Sequence, residues 1–164
     1  MKFNLYRYYI KMKDAYAILN EYNKNLIYIM NLFGDITDNI QLNNLCVYLF
    51  NNTKNKPFKG VYSAEKMPKL KRENEMCIIN TNSKKDKTIG HWIACYKYMN
   101  KTFVYDSFDR DVKSLSPHWQ KKHNWVNANK SIDQSLNESN CGPRAVSWQI
   151  SAFLHKPDKI MNII

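Results

Sequence analysis

The spacing of apolar residues changes twice along this chain, and that change constrains the fold more than any other feature. Between residues 13 and 33 apolar side chains recur at three- and four-residue intervals, which predicts an amphipathic helix. Met76–Asn80 is typical of a short strand, and residues 91–98 and 102–106 are typical of the two strands of a hairpin. Cys141–His155 is again helical and apolar on more than one face, which predicts a buried helix. Helices, then strands, then helices is the order of an α+β fold.

Capping and turn residues set further boundaries. Gly34 is suited to end the first helix, and Thr37 or Asp38 is placed to cap a second one. Ser116-Pro117 pairs an N-cap residue with a first-turn proline, which predicts a helix running to about Val126.

The length of 164 residues fits one domain, 1–164, in which residues 1–34 form an N-terminal helical extension. No apolar run approaches the length of a transmembrane helix, and no secretory signal is recognisable at the N-terminus, so we expect no membrane segment. Four cysteines without a Cys-x-x-Cys pair favour a reducing compartment over a disulfide scaffold.

Charge is the first indication of a partner. Lysine and arginine outnumber acidic residues 25 to 14, giving a formal net charge of +11. Residues 54–87 hold ten bases and four acids, so 10 − 4 = +6 lies in that segment. The excess fits a solvated surface in a chain rich in Lys, Asn and Ile, and equally a site for a polyanion such as nucleic acid. The candidate polyanion-binding residues are Lys84, Lys85 and Lys87.

Cys141 is the strongest candidate nucleophile. It lies where a polar loop becomes a buried helix, and the N-terminus of a helix favours a thiolate through unpaired N–H groups and the helix dipole. Gly142 permits close approach of a substrate, and Pro143 suits a first-turn position. Taken alone, a cysteine is more often a buried, inert side chain.

Partners for a nucleophilic cysteine stand at suitable positions. His91 begins one hairpin strand and Asp106 ends the next, so antiparallel pairing brings them together as a base and the group that orients it. Gln134 lies on the loop that leads into the Cys141 helix, where its amide can donate to an oxyanion beside the Cys141 backbone N–H.

These residues belong to four motifs whose order and spacing resemble a known family. The motifs are Gly90-His91-Trp92, Tyr105-Asp106-Ser107-Phe108, Gln134 and Asn137-Glu138-Ser139-Asn140-Cys141-Gly142. The set resembles the adenain family, the adenovirus-type maturation proteases, and the wider clan that includes the proteases of ubiquitin-like modifiers. The Gln134-to-Cys141 spacing, 141 − 134 = 7, is closer to adenain. The resemblance covers about residues 36–155.

The resemblance implies a small mixed sheet packed on a central helix that starts at Cys141. It implies a cysteine endopeptidase with His91, Asp106 and Cys141 as catalytic residues and Gln134 with the Cys141 N–H as the oxyanion hole. The implied substrates are viral capsid and core precursor polypeptides cleaved beside small residues, often Gly. No cofactor is expected to be required, although viral DNA is an expected activator and partner because some relatives use it. The Lys, Asn and Ile bias suits a virophage or a related virus, with the protein in the virion and in the virus factory of the host cytoplasm.

Several positions depart from the family pattern. Asp106 stands where adenain carries Glu, and either carboxylate can orient an imidazole. Asp109 stands where viral relatives often have Gly, and Pro143-Arg144 replaces the usual apolar pair. His123 occupies the position of the cysteine that ties adenain to its activating peptide, so that activation mode is not carried over.

Three functions stay open at this point. The first is a virion-maturation endopeptidase, the second an isopeptidase acting on ubiquitin-like modifiers, and the third a basic DNA-binding virion protein. A metal site is not expected, because His118 and His123 are poorly spaced for shared ligation and Cys46, Cys77 and Cys95 are scattered.

Overall fold

The described part of the chain contains a mixed sheet of five strands. The computed structural model describes residues 2–82, 90–115, 124–129 and 131–164. The strands are β1 (Phe58–Ser63), β2 (Met76–Asn80), β3 (Trp92–Tyr98), β4 (Lys101–Tyr105) and β5 (Trp125–Asn127). Their spatial order follows the chain order, with parallel pairs at both edges and antiparallel pairs in the middle.

Helices pack against this sheet and against one another, which confirms the α+β class. They are α1 (Lys2–Phe33), α2 (Asn39–Phe50), α3 (Val112–Leu115), α4 (Cys141–His155) and α5 (Pro157–Ile160), with a 3₁₀ turn at Ala64–Lys66. The central helix is α4, which packs on β3 and along α1 and is buried along most of its length. The helix that starts at Cys141 therefore lies against the small mixed sheet, as the resemblance implied.

Alternating side chains of the inner strands supply two apolar layers. Met76 and Ile78 of β2 face the helices and join the main core. Cys77 and Ile79, which alternate with these two residues along β2, face the opposite side of the sheet and pack in a second cluster with Leu70. Burying both faces of β2 fixes its register, because a slip by one residue would exchange the two sets.

Local signals explain where several elements begin and end. Asp38 caps α2 in a capping box, its carboxylate accepting from the N–H of Gln41 while the Gln41 side chain accepts from the Asp38 N–H. Gly34 ends α1 with a φ of +79°, a left-handed conformation that glycine adopts without steric cost. Met99 and Asn100 form the β3–β4 turn with positive φ at both positions, as a tight hairpin turn requires.

Two expectations about helices differ from the structure. The prediction of a helix that runs to about Val126 is wrong at its C-terminal end, because Trp125–Asn127 is strand β5. The rest of that predicted helix, residues 116–123, lies outside the described residues. Val126 is β-branched and pairs with Phe103 of β4. This strand pairing outweighs the weak helical pattern of the sequence around Val126. In contrast, α1 begins at Lys2, well before residue 13, because the first residues contain no Gly or Pro to interrupt a helix.

The first helix contributes to the main core. Ile18, Tyr22, Leu26 and Ile29 of α1 are buried there at helical spacing. Removing each of the three aliphatic side chains in this set from water contributes about 1.5–3 kcal/mol. The second half of the N-terminal segment is therefore packed with the rest of the fold.

Within the described ranges, no helix is both long enough and apolar enough to cross a membrane.

Candidate active site

His91 and Asp106 meet at the open end of the β3–β4 hairpin. Ala94 pairs with Tyr105, so the residue before β3 and the residue after β4 lie at the same end of the two strands. His91 Nε2 is 2.7 Å from Asp106 Oδ1. Because Asp106 uses Nε2, the nitrogen that remains for a second partner is Nδ1.

The Asp106 carboxylate is held on both oxygens. Oδ1 also accepts from the Phe108 N–H at 3.0 Å, and Oδ2 accepts from Arg110 Nε at 2.7 Å. The side chain is 2% exposed. Burial works to raise the pKa of Asp106, but the hydrogen bond and charge of His91, with help from Arg110 and Phe108, hold it below its usual range. Asp106 is therefore an anchored carboxylate that is charged at neutral pH.

Asn129 fixes the backbone of the same residue. Its Nδ2 donates to the Asp106 carbonyl, and its Oδ1 accepts from the Asp106 N–H at 3.2 Å. The ring of Phe108 lies 4.6 Å from the ring of His91, centroid to centroid. The base is thus oriented by a carboxylate and packed by an aromatic ring.

Cys141 is the first residue of α4 and contacts His91. Burial works to raise the pKa of the thiol, but a hydrogen bond to the His91 side chain, the backbone N–H of Trp92, the charge of His91 and the backbone N–H of Gly142 outweigh it. The pKa of Cys141 is lowered as a result. The pKa of His91 is raised, since hydrogen bonds to Asp106 and Cys141 outweigh the lowering by burial. The two shifts together favour a thiolate beside an imidazolium.

The N-terminus of α4 leaves its N–H groups available to the sulfur and the cleft. Asn140 occupies the N-cap position but makes no side-chain cap bond. Its Oδ1 accepts from Arg144 Nε at 2.8 Å instead. Pro143 has no N–H, so the first turn presents the N–H groups of Cys141 and Gly142, which lack intrahelical acceptors.

Gln134 is buried beside this helix start, 2% exposed. Its Oε1 accepts from Ser107 Oγ at 2.7 Å, and its Nε2 donates to the Glu138 carbonyl at 2.6 Å. An amide nitrogen carries two hydrogens, so one more can be donated to a bound oxyanion. The loop before Cys141 is thereby tied to the residue that follows Asp106.

A cleft of about 220 Å³ brings these residues together. It is lined by Ile36, Thr37, Gly90, His91, Trp92, Phe108, Gln134, Glu138, Ser139 and Cys141. Asp106 lies behind His91, in the position of an orienting group. Three of the four residues that the sequence singles out for peptide hydrolysis, His91, Gln134 and Cys141, therefore line one cleft, and Asp106 supports His91 from behind it.

The loop between α1 and α2 forms one wall of the cleft. The Thr37 carbonyl accepts from Trp92 Nε1 at 3.1 Å. A Cβ added at Gly142 would lie 1.9 Å from Thr37 Oγ1, so residue 142 has no room for a side chain. Gly142 thus lets this loop close over the start of α4.

Sequence reasoning gave no role to Arg110 or Asn129, and it placed Thr37 only as a candidate cap of the second helix, a position that Asp38 takes. Arg110 stands four residues after Asp106, a spacing that signals an ion pair only inside a helix, and this segment is a turn. Asp109 adopts φ +52° in that turn, a left-handed conformation that an aspartate adopts more readily than most residues other than glycine.

Two further predictions concern other chemistry. Lys84, Lys85 and Lys87 lie outside the described residues. Within 2–82, 90–115, 124–129 and 131–164, no three His, Cys, Asp or Glu side chains are grouped as metal ligands would be.

The chain was compared as a whole with known proteins. No protein-family model matches it, and no curated protein matches it.

Proposed function

We propose that the protein is a cysteine peptidase with Cys141 as its nucleophile. The observation that carries this proposal is the position of His91, in contact with both Asp106 and Cys141 at the start of a buried helix. Thiol hydrolases need these three parts: a sulfur with a lowered pKa, a base beside it, and a group that fixes the base.

The reaction follows from these positions. The thiol proton resides on His91, and the Cys141 sulfur attacks the carbonyl carbon of the scissile bond. The negative charge that forms on the carbonyl oxygen is stabilised by the Cys141 N–H and the Gln134 amide. His91 then gives its proton to the leaving amine, and the C–N bond breaks to leave a thioester. Water, deprotonated by His91, attacks that thioester and releases the acid and the free thiol.

The biological role proposed is endoproteolytic maturation of virion proteins. The support for this role is the motif set that resembles adenain, including the seven-residue spacing from Gln134 to Cys141, 141 − 134 = 7. On this proposal the substrates are capsid and core precursor polypeptides, viral DNA acts as an activator, and the protein works in the virion and the virus factory.

Two substrate sets test the proposal. The full chain is incubated with a pool of peptides of mixed sequence, and new termini are identified by mass spectrometry; separately, it is incubated with conjugates of ubiquitin-like modifiers. We expect cleavage within the peptide pool, beside small residues, and loss of cleavage in Cys141→Ala. Cleavage of the conjugates alone would overturn the maturation role in favour of an isopeptidase. A wild-type chain that cleaves neither set would overturn the peptidase proposal.

A further inference from the structure

A buried polar cluster lies directly behind the cleft, and no step of the proposed reaction uses it. The Asp133 cluster consists of Tyr22, Tyr105, Asp133 and Arg144. The two tyrosine hydroxyls are 2.9 Å apart, and both donate to Asp133 Oδ2, that of Tyr22 at 2.6 Å. Arg144 Nη1 lies 3.1 Å from the other carboxylate oxygen, Oδ1. Asp133 is therefore bound by three side chains from three separate elements.

Three members of the cluster are chain neighbours of the candidate catalytic groups. Tyr105 ends β4 and directly precedes the carboxylate that orients the base. Asp133 directly precedes the candidate oxyanion donor. Arg144 lies one turn into α4 from the nucleophile. The chain segments that carry Asp106, Gln134 and Cys141 thus all meet at the carboxylate of Asp133.

Arg144 also holds the loop between the oxyanion donor and the nucleophile. Besides Asp133, its guanidinium reaches Glu138 Oε2 at 3.3 Å and Asn140 Oδ1 at 2.8 Å. The side chain is 10% exposed. A planar guanidinium holds its N–H donors in a fixed geometry. The Arg144 side chain therefore sets the relative positions of Asp133, Glu138 and Asn140.

Tyr22 connects α1 to this arrangement. It is 1% exposed and reaches Asp133 from a part of the chain that supplies none of the candidate catalytic residues. Burial raises the pKa of Tyr22, and the charge of Asp133 raises it further, so the hydroxyl stays protonated and donates. The N-terminal helix therefore supplies a hydrogen bond to the loop that carries Gln134.

We propose, on the basis of the proposed peptidase function, that the Asp133 cluster positions the oxyanion-hole loop and that α1 is a required part of the active site through Tyr22. Oxyanion stabilisation depends on donors fixed where the negative charge develops, and a displacement of about 1 Å can cost about 10²-fold in rate. The members of the cluster are positioning residues, since the structure places them behind the cleft and they act through Gln134 and the loop.

The test compares two tyrosine variants that lose the same atom. Tyr22→Phe removes the hydroxyl that bonds Asp133, and Tyr96→Phe removes a buried hydroxyl that bonds Asn74 Oδ1 at 2.9 Å. Both are expected to lower the melting temperature by similar amounts. Only Tyr22→Phe is expected to lower kcat, by about tenfold or more, with KM little changed. Arg144→Lys keeps the positive charge but loses the planar set of N–H donors, so we expect kcat to fall in this variant too.

Alkylation of Cys141 by iodoacetamide provides the second readout. The groups that stabilise the thiolate are His91 and the backbone N–H groups of Trp92 and Gly142, none of which belongs to the cluster. We therefore expect iodoacetamide to alkylate Cys141 of the Tyr22→Phe variant at the wild-type rate, although the kcat of that variant falls. The substrate is the peptide from the mixed pool that the wild-type chain cleaves fastest.

The outcomes separate this inference from the function on which it rests. A wild-type kcat in Tyr22→Phe, or equal losses in Tyr22→Phe and Tyr96→Phe, overturns the role of α1. A parallel loss of alkylation and hydrolysis in Tyr22→Phe also overturns it, because the nucleophile itself is then disturbed. If the wild-type chain cleaves no peptide, the peptidase proposal fails first, and this inference fails with it.

Discussion

Asp106 holds His91 through Oδ1 at 2.7 Å, and the two residues lie just beyond facing ends of β3 and β4. The second carboxylate oxygen is occupied by Arg110. With both oxygens bound, the carboxylate cannot rotate without losing a charge-assisted hydrogen bond, each of which contributes roughly 1.5–3 kcal/mol. The imidazole ring is therefore fixed with Nε2 on Asp106 and the opposite nitrogen toward Cys141.

Replacing Asp106 by Asn should lower kcat strongly, by about 10²-fold to 10⁴-fold, while leaving more activity than His91→Ala. The amide keeps the shape of the carboxylate but loses its charge, so the imidazolium is less stabilised. Steady-state kinetics with one peptide substrate measures the ranking. Equal activity of Asp106→Asn and wild type would remove Asp106 from the catalytic set.

The rate of Cys141 alkylation should reach its half-maximum at a pH below that of an ordinary cysteine. The pKa of the thiol is lowered chiefly by its hydrogen bond to His91, once the opposing effect of burial is overcome. His91→Ala removes that contribution, so the pKa rises and the alkylation rate at neutral pH falls. Rates with iodoacetamide across a pH series measure the shift.

A second histidine provides the matched control for that series. His155 contacts Glu21 at 3.3 Å, near the end of α4 opposite Cys141. His155→Ala is expected to leave the pH profile of Cys141 alkylation unchanged. If both variants shift the profile equally, the effect comes from net charge and the pairing of His91 with the thiol is refuted.

Cys141→Ala should abolish hydrolysis and leave the fold intact, because the change removes only the nucleophile. Cys46→Ala is the control, since Cys46 is fully buried in the main core and its pKa is raised by burial. That variant should lose stability but keep the wild-type kcat. Retained hydrolysis in Cys141→Ala would mean that another group is the nucleophile.

Gln134→Ala should reduce kcat by about 10²-fold or more, the usual cost of losing one oxyanion donor. The variant also removes the hydrogen bond with Ser107, so Ser107→Ala is needed to separate the two effects. Ser107→Ala removes that anchor but keeps the amide, and its kcat should fall less. A kcat in Gln134→Ala no lower than that in Ser107→Ala would make Gln134 a structural residue only.

The elements with strong local signals were predictable from sequence. The boundaries of α4 follow from a polar loop meeting a continuous apolar pattern at Cys141, and the hairpin follows from β-branched and aromatic runs around Met99 and Asn100. The approach of His91 to Asp106 followed in turn, because antiparallel pairing converts strand ends into neighbours.

The remaining features depend on tertiary packing. The sequence gives no clear indication of β1, whose pairing with β2 is irregular between Phe58 and Val61, where Gly60 adopts a φ of +127°. β5 is three residues long and is defined by its pairing with β4. The Asp133 cluster joins Tyr22 to Asp133, 111 positions further along the chain, so no spacing in the sequence reveals it.

The last prediction concerns the charge of residues 54–87, where the sequence places ten bases and four acids. Lysine contacts with phosphate release counterions, so DNA affinity should fall linearly on a log–log plot against salt, with a slope of about −0.9 per phosphate neutralised. Sequence preference should be negligible, because lysine contacts backbone charge. Reversing Lys84, Lys85 and Lys87 to Glu should flatten the slope by about 0.9 for each phosphate that is no longer neutralised.

A second triple variant separates a site from net charge. Reversing Lys13, Lys24 and Lys101 to Glu changes the charge equally, from +11 to 11 − 6 = +5, at three exposed positions. Binding is measured by titration of duplex DNA over a salt series, and hydrolysis of a short peptide is measured alongside. Only the first variant should flatten the slope, and neither should change peptide hydrolysis measured without DNA. Equal flattening in both, or no binding by wild type at about 50 mM salt, would assign the basic excess to a solvated surface, because phosphate contacts are strongest at low salt.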